Sequence, residues 1–191
     1  MQLGIGSYAY RWAIRAGRMD LTAFIDKSRR AGAQCLQICD NLPLIRKTDA
    51  ELEDLRRQSV DLGLALEIGT VGSELTHLRR YIAITAALGA RILRVVTADG
   101  PSRPSADQLV TICRAILPEL HASGVTLAIE NHFDLVPREV ARVIETVNDP
   151  AVGVCLDPLN SISLLVGPEE TVATLLPHTL SVHIKDATVR R

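Results

Sequence analysis

Seven apolar runs of strand length, separated by stretches of helical period, constrain this chain more than any other feature. They are "LGIGS" from Leu3, "CLQIC" from Cys35, "LALEIG" from Leu64, "RILRVVT" from Arg91, "VTLAIE" from Val125, "VGVCLD" from Val152 and "LSVHIK" from Leu180. Several follow a glycine suited to ending a helix: Gly63, Gly89 and Gly124. Between them lie amphipathic segments such as "SELTHLRRYIAITAALGA", which sets Leu75, Leu78, Ile82 and Ala86 on one side. Ser73 and Ser105 are the expected N-caps of their helices. Shorter helices are expected over Glu139 to Val147 and Glu169 to Leu176.

The runs recur roughly every 30 residues, the size of a βα unit. Strands that alternate with helices imply a parallel sheet. Two architectures compete, a doubly wound open sheet and an eight-stranded barrel. The first turn, "GIGSYAYRW", is not a GxGxxG phosphate loop, and the spacing carries no break. The expectation is therefore an α/β fold of (β/α)8 TIM-barrel type in a single domain over residues 1–191, present as about seven strands and six helices. A barrel of this type needs ~200 residues or more, with ~250 typical. The barrel is thus expected to be incomplete, its C-terminal strand and helices missing because these residues belong to a longer protein. The alternative is a homo-oligomer in which a second copy completes the sheet through its open edges.

Composition narrows the partners. A net charge of −1 over 191 residues gives no reason to expect nucleic acid or an anionic membrane surface. The pairs Arg29-Arg30, Arg56-Arg57 and Arg79-Arg80 stand beside acidic residues in helical patterns and read as solvated faces. Cys35, Cys39, Cys113 and Cys155 lack the spacing of a zinc site or a disulfide scaffold, so buried reduced thiols are expected. That fits a cytoplasmic protein. The opening "MQLGIGSYAY" lacks a basic segment before a long apolar core, and no run approaches the ~20 residues of a membrane span.

In a barrel, chemistry sits at the C-terminal ends of the strands. The fifth run ends on Glu130, the sixth on Asp157 and the seventh holds His183. Singly, each has a plain explanation: an Asp before Pro is ordinarily a turn residue, and a His in an apolar strand is ordinarily a hydrogen-bonded core residue. Glu130 resists such a reading, because a carboxylate ending a buried strand is costly unless paired or coordinated. Adjacent strands about 4.8 Å apart bring all three within reach of one cation. Oxygen ligands with one nitrogen suit Mn²⁺, Mg²⁺, Co²⁺ or Zn²⁺.

The blocks "TLAIENHFD", "VGVCLDPLNS" and "VHIKDATVRR", with "LGIGSYAYRW", "QICDNLPL", "LALEIGT" and "LGARILRVV", resemble the xylose isomerase-like barrel superfamily. The closer likeness is to its sugar phosphate isomerase/epimerase branch, and it runs from Met1 to Arg191. The resemblance implies a divalent metal held by Glu130, Asp157 and His183. A fourth ligand, a Glu of strand eight, has no counterpart. Members often carry Asp-Thr after strand six, where Pro158 follows Asp157 here, which bears on the loop carrying Asn160.

The implied reaction is isomerisation or epimerisation of a sugar or sugar phosphate beside its carbonyl, with a cation stabilising the enediolate. Glu130 serves as ligand and base, with His183 beside it in the catalytic group. The missing strand-eight Glu is the second base, and each general base contributes ~10²–10⁴ in rate. Asn131, His132 and Asn160 are candidate hydroxyl contacts. Tyr8 and Trp12 are a candidate aromatic wall, for which core packing is the alternative in the case of Trp12. Asp40 ends strand two. Glu67 lies in strand three, where pairing with Arg94 explains it equally well. Lys185 and Arg190 are candidates for a carbonyl oxygen or a phosphate.

Rival readings lie within the superfamily and outside it. A dehydratase of a cyclic polyol or keto acid shares the metal and the proton abstraction. A non-catalytic partial barrel acts instead as a binding or oligomerising module. A DNA-repair endonuclease with several zinc ions needs more histidine ligands than five can supply, and a basic surface.

Overall fold

Parallel pairing runs without interruption through a seven-stranded sheet in the order β1-β2-β3-β4-β5-β6-β7. The computed structural model describes residues 2–186. The strands are β1 (Gly4–Gly6), β2 (Cys35–Ile38), β3 (Ala65–Val71), β4 (Ile92–Val96), β5 (Thr126–Glu130), β6 (Val152–Leu156) and β7 (Thr179–Val182). The first crossover holds two helices, α1 (Arg11–Arg15) and α2 (Leu21–Arg30). The others hold α3 (Asp49–Asp61), α4 (Leu75–Ala87), α5 (Ala106–Ser123), α6 (Pro137–Val147) and α7 (Pro168–Leu175). The result is an incomplete TIM barrel, a curled parallel sheet that does not close into a full ring.

Local chemistry explains the boundaries. Ser105 caps α5 in a capping box with Gln108, as expected. Ser73 does not cap α4; the cap is Glu74, whose carboxylate reaches the His77 amide at 2.8 Å. Helices α6 and α7 begin earlier than their apolar pattern suggests, each with proline in its first turn. Gly124 ends α5 at φ 66°, a left-handed conformation that a side chain would strain.

Strand parity separates two environments. Leu36, Ile38, Leu66, Ile68, Leu93, Val95, Leu127, Ile129, Val154 and Leu156 join the helices in one buried core. Alternate positions point the other way. Register sets Gln37 beside Glu67, Gly69 beside Arg94, Arg94 beside Ala128, Glu130 beside Cys155, and Cys155 beside Ser181. The inner face of the sheet is therefore polar. All four cysteines are buried and unpaired, as expected. No helix among the described residues is long and apolar enough to cross a membrane.

Curling is visible in bonds that cross the lumen. Ser181 Oγ donates to Glu67 Oε2 at 3.1 Å, although β3 and β7 are not neighbours in the sheet. The approach of β7 to β6 depends on Gly153, where a Cβ would meet Leu180 Cγ at 2.7 Å and the His178 carbonyl oxygen at 2.8 Å.

Candidate metal centre

Glu130 is the last residue of β5 and is 4% exposed. The Nε of Arg94 donates to its Oε2, and Asn160 Nδ2 donates to its Oε1 at 2.8 Å. Arg94 is itself 6% exposed, and its Nη1 is buried without a hydrogen-bond partner among the described residues. The alternative reading of Glu67, pairing with Arg94, is thus replaced. Arg94 lies between β3 and β5 and turns to Glu130, while Glu67 accepts from Gln37 Nε2 at 3.1 Å and from Ser181.

His183 follows β7, and its amide adds one more bond to the ladder by donating to the Leu156 carbonyl at 2.8 Å. Its Nδ1 faces Glu130 Oε2 at 3.4 Å, and its Nε2 lies 2.9 Å from Gln37 Oε1. Burial lowers its pKa below the ordinary 6.5, against an opposing pull from Glu130. Burial thus favours the neutral imidazole, the form that can bind a cation.

The sequence grouping was Glu130, Asp157 and His183. The ligand atoms that converge within 4.8 Å are instead those of Glu130, Cys155 and His183. Cys155 sits in register with Glu130, and burial holds its thiol well above the ordinary range. Asp157, 2% exposed, is engaged elsewhere. Its Oδ1 accepts from the amides of Leu159 at 2.9 Å and Asn160 at 3.2 Å, and its Oδ2 holds Lys185 Nζ at 2.9 Å. Lys185 also donates to Asn160 Oδ1, so Asn160 ties Glu130 to the Asp157–Lys185 pair.

The donor set fits a divalent cation. A carboxylate oxygen and an imidazole nitrogen, two donor types that divalent cations take, lie 3.4 Å apart with the Cys155 sulfur also within 4.8 Å. The Lys185 ammonium already supplies a positive charge to Asp157.

The remaining candidates separate by position. Asn131, fully buried, bonds both backbone groups of Asp157, accepting from its amide at 2.8 Å and donating to its carbonyl at 2.7 Å. It also donates to Ser161 Oγ at 3.1 Å, so its amide is spent on joining the loops after β5 and β6. His132 is half-buried and stacks on Phe133. Tyr8 donates to Asp40 Oδ2 at 2.8 Å; burial and that carboxylate push its phenol pKa upward. Trp12 is 62% exposed on α1 with the Arg11 guanidinium over its ring, so it is not part of the core. Arg190 lies outside the described residues.

Sequence reasoning passed over Gln37, Cys155 and Ser181. Each lies at an inward position of its strand, and the polar residue in the middle of "CLQIC" was the available signal.

A profile of the xylose isomerase-like TIM barrel family matches residues 25–191. The chain is 33% identical over 189 residues to 3-oxo-isoapionate decarboxylase of Pectobacterium atrosepticum, covering 97% of this chain and 69% of that protein. The crystal structure of D-psicose 3-epimerase in the presence of D-fructose superposes with a TM-score of 0.79 at 19% identity, over 96% of this chain and 72% of that one. The IOLI protein with a bound zinc atom superposes with a TM-score of 0.66 at 16% identity, over 84% of this chain and 64% of that one.

Proposed function

The chain belongs to the xylose isomerase-like TIM barrel family, and on that premise we propose that it is a divalent-metal-dependent enzyme forming an enediolate on a small sugar. The favoured reaction is isomerisation or epimerisation beside a carbonyl. The observation that carries it is the convergence of Glu130, Cys155 and His183 within 4.8 Å at the C-terminal ends of adjacent strands. Similar structures support both halves: a 3-epimerase in the presence of a ketose, and a protein with bound zinc.

Glu130 and His183 would hold the cation, with Asp157, now paired with Lys185, as a third ligand. Asp157 is preferred to Cys155 because the thiol must first lose a proton that burial makes it retain. A bound cation supplies Lewis-acid stabilisation of charge on the substrate's carbonyl and neighbouring hydroxyl. The chain does the rest. Glu130 removes the proton from the carbon beside the carbonyl, with Arg94 fixing its Oε2 and Asn160 its Oε1. Lys185 is a donor for a substrate oxygen. Tyr8, Asp40 and His132 at the rim contact hydroxyls, and Trp12 offers an exposed aromatic face. The setting is a soluble, cytoplasmic one.

A second reading is favoured by the 33% identity to a decarboxylase of a 3-oxo acid. Breaking the bond to the carboxylate of such an acid leaves its electron pair in the carbonyl system. The products are CO₂ and an enolate, an enediolate where the carbon that lost the carboxylate carries a hydroxyl, which then takes up a proton. Both reactions need the same stabilised intermediate, so the same residues serve either one.

One experiment separates them. The protein is incubated with Mn²⁺ in D₂O with a panel of ketoses, and separately with 3-oxo sugar acids while CO₂ is collected. Deuterium entering the ketose carbon beside the carbonyl, abolished by Glu130→Gln, is the expected result. CO₂ release without exchange would establish the second reading, and neither outcome with Mn²⁺ present would refute the proposal.

A further inference from the structure

Resting on the proposed cation site, we infer that Gln37 and Glu67 are positioning residues that hold His183 in its Nε2–H tautomer, turning the bare Nδ1 toward Glu130. The argument is an inventory of protons along a chain of side chains. A carboxylate accepts hydrogen bonds and donates none. Gln37 Nε2 lies 3.1 Å from Glu67 Oε2, so the NH₂ end of the amide faces Glu67. The carbonyl end must then face His183, whose Nε2 is 2.9 Å from Gln37 Oε1. A carbonyl oxygen cannot donate, so that ring nitrogen carries the proton. An imidazole that binds a cation is neutral and has one N–H, so a proton on Nε2 leaves Nδ1 with its lone pair, 3.4 Å from Glu130 Oε2.

Two further donors lock the orientation. Ser181 Oγ donates to Glu67 Oε2 at 3.1 Å, and Cys39 Sγ approaches Gln37 Oε1 at 3.4 Å. Both contacts oppose a flip of the Gln37 amide, which would aim its NH₂ at the Cys39 thiol and its carbonyl at a carboxylate. Gln37, Glu67 and Ser181 lie on β2, β3 and β7, and His183 directly follows β7 with its amide still in the ladder. Partners behind a ligating histidine set which nitrogen meets the metal, and their loss typically weakens affinity 10–100-fold.

The test is ¹⁵N NMR of the histidine rings in the folded, metal-free protein, with His183→Gln identifying the His183 signals among five histidines. The expected spectrum shows protonated Nε2 and bare Nδ1. Glu67→Gln is nearly isosteric and permits the Gln37 amide to turn, so a mixture of tautomers is expected. Gln37→Leu should do the same and weaken Mn²⁺ binding about 10–100-fold. Gln37→Glu keeps an acceptor opposite Nε2 and should retain the tautomer. A protonated Nδ1 in the unmodified protein would overturn the inference. So would one unchanged tautomer in both Glu67→Gln and Gln37→Leu, and Glu67→Gln carries the test if Gln37→Leu fails to fold. A protein with the expected tautomer and no turnover on any substrate would lose the proposed reaction but keep this inference. Full turnover with an unconstrained ring would do the reverse.

Discussion

Arg94 and Glu130, 36 residues apart, form a buried ion pair across the inner face of adjacent strands β4 and β5. The guanidinium orients the carboxylate at the centre of the site. Removing one partner of such a pair leaves the other charge buried, at a cost of about 3–5 kcal/mol. Arg94→Met should therefore lower stability by that order in urea denaturation. A change below about 1 kcal/mol would show that water reaches the pair.

Glu130→Gln tests the chemistry. The amide keeps the shape of the side chain but cannot take a proton. Turnover should fall about 10²–10⁴-fold, as for loss of a general base. Circular dichroism should show the fold retained, and full activity in the variant would remove Glu130 from the base role.

The third ligand can be decided by titration with Mn²⁺. Asp157→Asn should weaken binding on the order of tenfold or more, because a charged oxygen ligand becomes a neutral one. Cys155→Ala should change it little. The opposite ranking would place sulfur in the coordination sphere and point to zinc.

Asn131 supplies a prediction about stability. Its amide joins the loop after β5 to both backbone groups of Asp157. Asn131→Ala strands those groups in a buried site, at about 1–3 kcal/mol each. The Tm should fall by several degrees, and an unchanged Tm would mean that other groups or water take up the bonds.

Burial lowers the pKa of His183 and of His132 in the fold. The unfolded chain thus binds a proton at higher pH than the folded one. Stability present above the ordinary value of 6.5 is lost as pH falls from there toward the lowered folded values. The urea midpoint of the metal-free protein should drop between pH 7.5 and pH 5, and the drop should be smaller in His183→Gln. A midpoint that rises on acidification would contradict this.

Much of this architecture could be read along the chain because strand length, helical period and glycine stops are local properties. The order of the strands, their parallel pairing and the placement of Glu130, Asp157 and His183 near their C-terminal ends all follow from that pattern. Alternation along a strand can name a face but no partner. Arg94 has a neighbouring strand on each side, and "LALEIG" pointed as readily to Glu67 as "LAIENH" did to Glu130. Similarly, Ser73 was the expected cap of α4, and only the path of the backbone puts Glu74 there instead, its carboxylate on the His77 amide.

The sequence by itself determined the repeated βα units and the charge-bearing strand ends, because each depends on residues a few positions apart. Tertiary structure decided which of those groups meet. Curling brings Gln37 to within 2.9 Å of His183 across 146 residues, sets Cys155 beside Glu130, and delivers Lys185 to Asp157. Those contacts depend on how far a sheet bends and how deep each side chain sits, which packing of the whole barrel fixes and no local period encodes.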